Sequence, residues 1–197
     1  GPLSGDAIDM AFSKSRVEDR KRWLSAYDAV SGPRVDFRVK QLEFRDFVQG
    51  ELVHFSLSDN VRSIPSLFDG LKPSQRKVLF ACFKRKLVNE IKVSQLAGYI
   101  SENAAYHHGE ESLASTIVGM AQTFVGSNNV ALLHAGGAFG TRRMGGKDAA
   151  SSRYIHTRLE PVTRALFPVD DDPLYDPLED DGQLIEPKFY VPVIPLL

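Results

Sequence analysis

Tyr154 stands where its type and its neighbours suit an attack on a phosphodiester. It closes the stretch Gly145-Gly146-Lys147-Asp148-Ala149-Ala150-Ser151-Ser152-Arg153-Tyr154, with Arg153 directly before it. Arg142, Arg143 and Lys147 add three more cations in that segment or at its edge. A phenol with a pKa of roughly 10 is ionised only about once in a thousand at neutral pH. Cations nearby favour the phenolate and also neutralise the phosphate under attack. The same residues equally compose a half-buried strand tyrosine beside a solvated basic loop. On local composition alone that structural reading is the commoner one.

Other side chains invite similar questions. His107 and His108 are adjacent and precede a helical pattern, which suits a proton relay, a phosphate donor or a simple capping detail. Neighbouring positions do not present both rings to one ion on common metal spacing. Lys72, Arg76 and Lys77 form either the solvated face of a helix or a phosphate-binding face. Asp170-Asp171-Asp172 and Glu179-Asp180-Asp181 look like metal ligands but read as surface loop and turn. Cys82 sits among apolar residues, cannot form an internal disulfide and reads as a small buried hydrophobe in a reducing setting.

The elements that must position these groups follow from periodicity and punctuation. Residues 6–27 are expected to form one helix with Arg20-Lys21-Arg22 on its polar side, and Gly1–Gly5 read as a protease-cleavage scar left by expression. Ser31-Gly32-Pro33 marks a linker over residues 29–39. Phe44, Phe47, Val48, Leu52 and Phe55 recur at helical spacing. Pro73 is placed as the first residue of a helix over 73–87 that turns Val78, Leu79, Cys82 and Phe83 inward and leaves Arg76, Lys77, Lys84 and Arg85 for other faces. Helices are expected over 93–101 and from about residue 110 to Phe124. A strand over 130–133, a glycine-rich tip with Gly136-Gly137 and Gly145-Gly146, and a strand from Tyr154 to Leu159 then make a β-ribbon. A short helix opens at Pro161, Asp181-Gly182 makes a turn, and a Pro-rich strand ends the chain. The fold class expected is α+β, mainly helical: a CAP-like winged helix-turn-helix with a Gly-rich β wing and a C-terminal strand extension. In such domains one helix lies in the major groove while the wing reaches backbone phosphates.

Charge supports that reading. The 197 residues carry a net charge of −1, yet residues 62–164 hold 14 Lys/Arg against 7 Asp/Glu, and the remainder holds 10 against 18. A basic middle between acidic ends fits a domain that meets a polyanion on one surface. No apolar run approaches the ~20 residues of a membrane span, so neither a membrane partner nor a secretory leader is expected.

Several ordered segments resemble one family. They are Arg62-Ser63-Ile64-Pro65, Asp69-Gly70-Leu71-Lys72-Pro73-Ser74-Gln75-Arg76-Lys77, Ala105-Tyr106-His107-His108-Gly109-Glu110, Phe124-Val125-Gly126-Ser127-Asn128-Asn129, Gly137-Ala138-Phe139-Gly140-Thr141-Arg142, Gly145-Gly146-Lys147-Asp148 and Arg153-Tyr154. Together, from about Ile8 to the end, they resemble the central region of eukaryotic DNA topoisomerase II, a type IIA topoisomerase. Ala138 and Asp172-Pro173-Leu174-Tyr175 look most like fungal members. The resemblance implies that Tyr154 attacks DNA and stays joined to a 5′ phosphate, with Arg153 stabilising transition-state charge. Arg62, His107 and His108 match positions around the scissile phosphate. Lys72, Arg76 and Tyr106 match DNA contacts, as Arg20 and Lys21 do from the end of a metal-binding (TOPRIM) domain. Lys77, Arg142 and Lys147 complete the expected DNA-binding set.

The resemblance divides the chain into residues 6–40, from the end of the metal-binding domain, and residues 41–197, a truncated breakage-reunion domain. It implies double-stranded DNA and a homodimer as partners, a nuclear location, and Mg²⁺ and ATP held by domains outside this chain. No metal ligand set is expected within it, and the fragment alone is expected to be inactive. The pattern departs from the family where Ser151-Ser152 replaces Ala-Ala or Ser-Pro, and where Lys188-Phe189 replaces Glu-Trp. The rival expectation is a winged-helix DNA-binding module without covalent chemistry, and a further one a degenerate scaffold fragment.

Overall fold

The computed structural model describes residues 2–196. The chain forms two compact units, Gly1–Ile64 and Pro65–Leu197.

The first unit is helical and thinly cored. Helix α1 (Pro2–Phe12) and helix α2 (Val17–Ser25) stand where one helix is expected over residues 6–27. The break lies at Ser13–Arg16, where Ser13 and Ser15 bond each other through their hydroxyls at 2.9 Å. Serines that bond locally offer the backbone an alternative to the helix ladder. Arg20 then fastens the corner, donating from Nη1 to the carbonyls of Met10 (3.0 Å) and Ser13 (2.6 Å). Residues 26–43 carry no helix or strand. Helix α3 (Phe44–Phe47) runs through a π-turn (Val48–Leu52) into helix α4 (Val53–Ser63). Among the described residues the buried apolar side chains of this unit are Ala7, Val48 and Val53, whereas Phe37, Phe44 and Phe55 are exposed.

The second unit holds the main core. Pro73 opens helix α5 (Pro73–Lys84), and Gln75 Oε1 accepts the Lys72 amide at 2.8 Å, satisfying one orphan donor. Val78, Leu79, Cys82 and Phe83 are buried along it as their spacing predicts. Burial pushes the Cys82 thiol up to about 12, so it is an inert packing group. Helix α6 (Val93–Asn103) and helix α7 (Glu110–Ala121) pack on each other and on α5. Strand β1 (Ile91–Lys92) pairs antiparallel with β2 (His156–Thr157), and single bridges join Leu133 to Leu159 and Gly136 to His156. Residues 133–136, β1 and β2 thus make a small ribbon at the base of a long loop. Helix α8 (Pro161–Leu166) follows.

Three sequence expectations are corrected here. The strand from Tyr154 to Leu159 shrinks to His156–Thr157, and Tyr154 lies in a turn, its amide bonding Ser151 O at 2.9 Å. Among the described residues no strand follows Pro187; the extension is instead the hairpin β3 (Pro177–Asp180) and β4 (Gln183–Pro187). Its turn places Asp181 at φ 47° and Gly182 at φ 78°, the pair of positive values that matches hairpin twist. Arg76, expected on an outer face, is only 5% exposed. Its guanidinium grips Asp69 through Nε–Oδ2 (2.7 Å) and Nη2–Oδ1 (3.0 Å), and donates to Leu71 O at 3.0 Å. Asp69 also accepts the amides of Leu71 and Tyr190 at 2.9 Å each. A charge this buried is tolerated because every lone pair and N–H edge facing inward is answered.

Candidate active site

Arg153 and Tyr154 share one exposed turn at the foot of the wing. Tyr154 is 74% exposed, so its hydroxyl is open to a ligand from solvent. The turn is held from behind rather than through its side chains. The first two amides of α6 take its carbonyls: Val93 N bonds Ile155 O at 3.0 Å, and Ser94 N bonds Ser152 O at 3.1 Å. Ile155 is buried between the two bonds and pins the segment to the core. Tyr190 shows the opposite environment: it is buried against Phe83, Phe167 and Tyr175, and desolvation pushes its phenol up.

The wing itself is a built object. Gln122, just past α7, donates from Nε2 to Phe139 O (2.9 Å) and to Gly146 O (3.1 Å), clasping both limbs. Asp148 accepts the Thr141 amide and the Thr141 hydroxyl, both at 2.8 Å. These bonds hold the Asp148 carboxyl below its ordinary value, the backbone bond from Thr141 being the largest cause. Phe139 is buried and plugs the wing into the core. At Gly140, φ is +94° and a Cβ would lie 2.6 Å from Gly146 O, so the two limbs approach too closely for a side chain. Arg142, Arg143 and Lys147 are all exposed at the tip, beside a short 3₁₀ turn over Arg142–Met144.

His107 and His108 lie in the α6–α7 turn and are exposed. Tyr106 meets His108 edge-on, with ring centroids 5.5 Å apart. His107 Nε2 stands 2.8 Å from Asp180 Oδ2 at the β3–β4 turn. A carboxylate oxygen accepts, so in this pair Nε2 is the donor. No hydrogen bond joins either histidine to Arg153 or Tyr154 among the described residues.

The remaining expected contacts divide. Lys72 is exposed at the start of α5. Lys77 is not a free surface cation: its Nζ bonds Ala104 O at 2.5 Å and Glu186 Oε2 at 2.9 Å. With Arg76 bound to Asp69, the expected basic face of α5 narrows to Lys72, just before its first residue, and to its far end. In the first unit, Lys21 is exposed and pairs with Glu18 at 2.8 Å, while Arg20 is tied to the α1–α2 corner. Arg62 is exposed in the last turn of α4 and pairs with Asp59 at 2.6 Å. Sequence reasoning missed Gln122, and it read Asp180 as surface turn without its pairing to His107. Their partners lie 17 to 73 residues away, so no local pattern marks them.

Three core helices and a clasped glycine-rich wing, with the ribbon between them, define a winged helix-turn-helix. The chain belongs to the family of DNA gyrase/topoisomerase IV A subunits, whose model matches residues 62–197. A second model, the C-terminal associated domain of TOPRIM, matches residues 2–60. Among similar proteins, DNA topoisomerase 2 of Arabidopsis thaliana is 59% identical over 97% of this chain and 13% of its own length. DNA topoisomerase 2 of Saccharomyces cerevisiae is 54% identical over 98% of this chain and 13% of its own. The chain thus spans about an eighth of these relatives, and the fungal sequence does not stand apart in overall identity. A crystal structure of the Plasmodium falciparum topoisomerase II DNA-binding, cleavage and re-ligation domain superposes with a TM-score of 0.79. It is 56% identical, covering 99% of this chain and 26% of that one.

Proposed function

We propose that this chain is the tyrosine-bearing part of a type II DNA topoisomerase, and that Tyr154 is its nucleophile. The observation that carries the reading is the Arg153–Tyr154 turn: an exposed phenol beside an exposed guanidinium, locked to the start of α6 and set below a basic wing. The phenol oxygen attacks the phosphorus of a backbone phosphodiester and gives up its proton to water. The bond from phosphorus to the 3′ oxygen breaks, that oxygen takes up a proton from water and leaves as the 3′ hydroxyl, and the 5′ phosphate stays esterified to Tyr154. One phosphodiester replaces another, so religation reverses the step without fuel. Such transfers depend on positioning and charge neutralisation more than on unusual groups. Arg153 neutralises charge on the phosphate, His108 serves as a phosphate donor from the helix-turn-helix, and His107, whose Nε2 is engaged by Asp180, donates to the phosphate from Nδ1 when its ring is doubly protonated. Arg142, Lys147, Lys72 and Tyr106 hold duplex DNA, with Arg62 and Lys21 as contacts from the first unit. Arg76, Lys77 and Arg20 act as positioning residues through the internal bonds described above.

One tyrosine cuts one strand, so double-strand cleavage needs two chains. The working enzyme is accordingly a nuclear homodimer that passes a second duplex through the break. ATP and Mg²⁺ enter through parts of the enzyme outside this chain. Among the described residues no group of three or more His, Cys, Asp or Glu is arranged to hold a metal ion, and no step above is routed through one.

The test uses a longer chain that includes the metal-binding domain, with denaturant trapping of protein on labelled duplex DNA. Tyr154→Phe is expected to abolish the adduct, and Arg153→Ala to reduce its rate by roughly 10²-fold, the usual cost of removing one transition-state donor. Adduct formation that survives Tyr154→Phe overturns Tyr154 as the nucleophile, and no adduct from the unsubstituted chain points instead to a winged-helix module in which Tyr154 only contacts the backbone.

A further inference from the structure

The turn after α7, residues 124–129, caps a helix that has no glycine at its end. Helix α7 stops at Ala121, and Gln122 leaves it with extended backbone at φ −69° and ψ 136°. The last carbonyls of a helix have no partner within it. Side chains of the turn answer them here. Asn128 Nδ2 donates to Gly119 O at 2.8 Å and to Gln122 O at 2.9 Å, and Ser127 Oγ donates to Gln122 O at 3.0 Å. Gly126, at φ 92°, lets the chain turn back sharply enough to bring both side chains there.

With its backbone held in this way, Gln122 extends its side chain to the wing. Its Nε2 carries two N–H groups, and each meets a carbonyl: Phe139 O on the outgoing limb and Gly146 O on the returning one. Two carboxamides thus work in series. Asn128 bridges two carbonyls at the end of α7, and Gln122 bridges two carbonyls of the wing. The fit leaves no slack, since a Cβ on Gly146, already at φ 78°, would collide with the Gln122 amide.

The other hydrogen bonds of the wing are internal. Thr141 bonds Asp148 and, through its carbonyl, the Gly146 amide, while Ala150 N bonds Ala138 O. Among the described residues the two bonds from Gln122 are the only hydrogen bonds that reach residues 137–150 from outside that segment. The returning limb runs from Ala150 directly into Ser151, whose carbonyl accepts the Tyr154 amide at 2.9 Å. The Tyr154 turn therefore has two supports. Helix α6 holds it from behind, and the wing holds its entry.

We infer that Gln122 is a positioning residue for DNA cleavage: its carboxamide fixes the wing to the end of α7 and so sets the entry to the Tyr154 turn. The inference rests on Tyr154 being the nucleophile, as proposed above. Gln122 acts through backbone carbonyls rather than on DNA, so its loss falls on the rate of the bound complex. A small misplacement of reacting atoms slows a transfer far more than it weakens binding.

The experiment follows single-turnover adduct formation by the longer chain that includes the metal-binding domain, over rising protein concentrations on labelled duplex. Gln122→Met keeps the length of the side chain and removes both donors. It is expected to lower the rate at saturation about tenfold while shifting the half-saturating concentration less than about twofold. Gln122→Glu keeps the shape but sets carboxylate oxygens against two carbonyls, and should be at least as slow. Arg142→Gln/Lys147→Gln should show the opposite split, a weaker half-saturation with the rate recovered at saturation. Amide exchange over residues 138–150 should quicken in Gln122→Met while that of α5–α7 stays slow. A Gln122→Met rate unchanged or recovered at saturation overturns the inference, as does a glutamate variant as fast as the parent. Exchange that quickens equally across α5–α7 also overturns it, by showing a loss of fold instead. Failure of the Tyr154 reading is distinct: the unsubstituted chain then forms no adduct on Tyr154, whereas failure of this inference leaves that adduct in place.

Discussion

At the scale of residues, the molecule separates charges that do chemistry from charges that hold it together. Asp69 binds Arg76 and two backbone amides, including that of Tyr190, 121 residues away. Removing one partner of a buried pair leaves the other charge stranded, which costs roughly 3–5 kcal/mol. Arg76→Met should therefore lower unfolding stability in urea by about that amount, and a loss under ~1 kcal/mol would count against the structural role. Arg76 was misread from sequence because helical spacing assigns a charged residue outward, and its acid partner lies in an irregular connector. Arg153 and Tyr154 were legible because their signal is local: a tyrosine after an arginine and a glycine-flanked basic run. His107 was legible as a type but not in its pairing, since Asp180 lies in a hairpin 73 residues on.

At the scale of elements, the wing decides where the phenol sits. Its two limbs are joined by Gln122, by the Thr141–Asp148 pair and by the close approach at Gly140. Gly140→Ala is expected to cost about 1–3 kcal/mol locally, from positive φ and the clash with Gly146 O. Amide exchange over residues 138–150 should quicken while that of α5–α7 stays slow; equal exchange in both would refute the local account. Asp148 titrates below its ordinary value, so its stabilising contribution is present above the unfolded-state value near 4 and is lost as pH falls through the lower folded value. Wing amides should accordingly lose protection under acid conditions, and Asp148→Asn should remove that pH dependence. The helices α5, α6 and α7 were legible from apolar spacing. The ribbon was less so: its pairing spans few residues, and the turn at Tyr154 arises from bonds to α6 that no strand pattern encodes.

At the scale of the whole molecule, a near-neutral net charge conceals a basic centre with acidic flanks. The two units match two different domain models, and each carries part of the proposed DNA contacts. The chain alone is expected to bind duplex DNA in a strongly salt-dependent way without relaxing supercoils, because the reading assigns metal and ATP to other parts of the enzyme. Metal-dependent relaxation by this chain would overturn that division of labour. The central claim is that Tyr154 becomes joined to DNA, and its most direct test is chemical. An adduct trapped with the longer chain is digested with nuclease and trypsin, and its peptides are read by mass spectrometry. Cleavage after Arg153 frees the peptide Tyr154–Arg158, which should carry a nucleotide through a 5′ phosphate on the phenol oxygen. A nucleotide found on any other residue, or none on this peptide, would contradict the account.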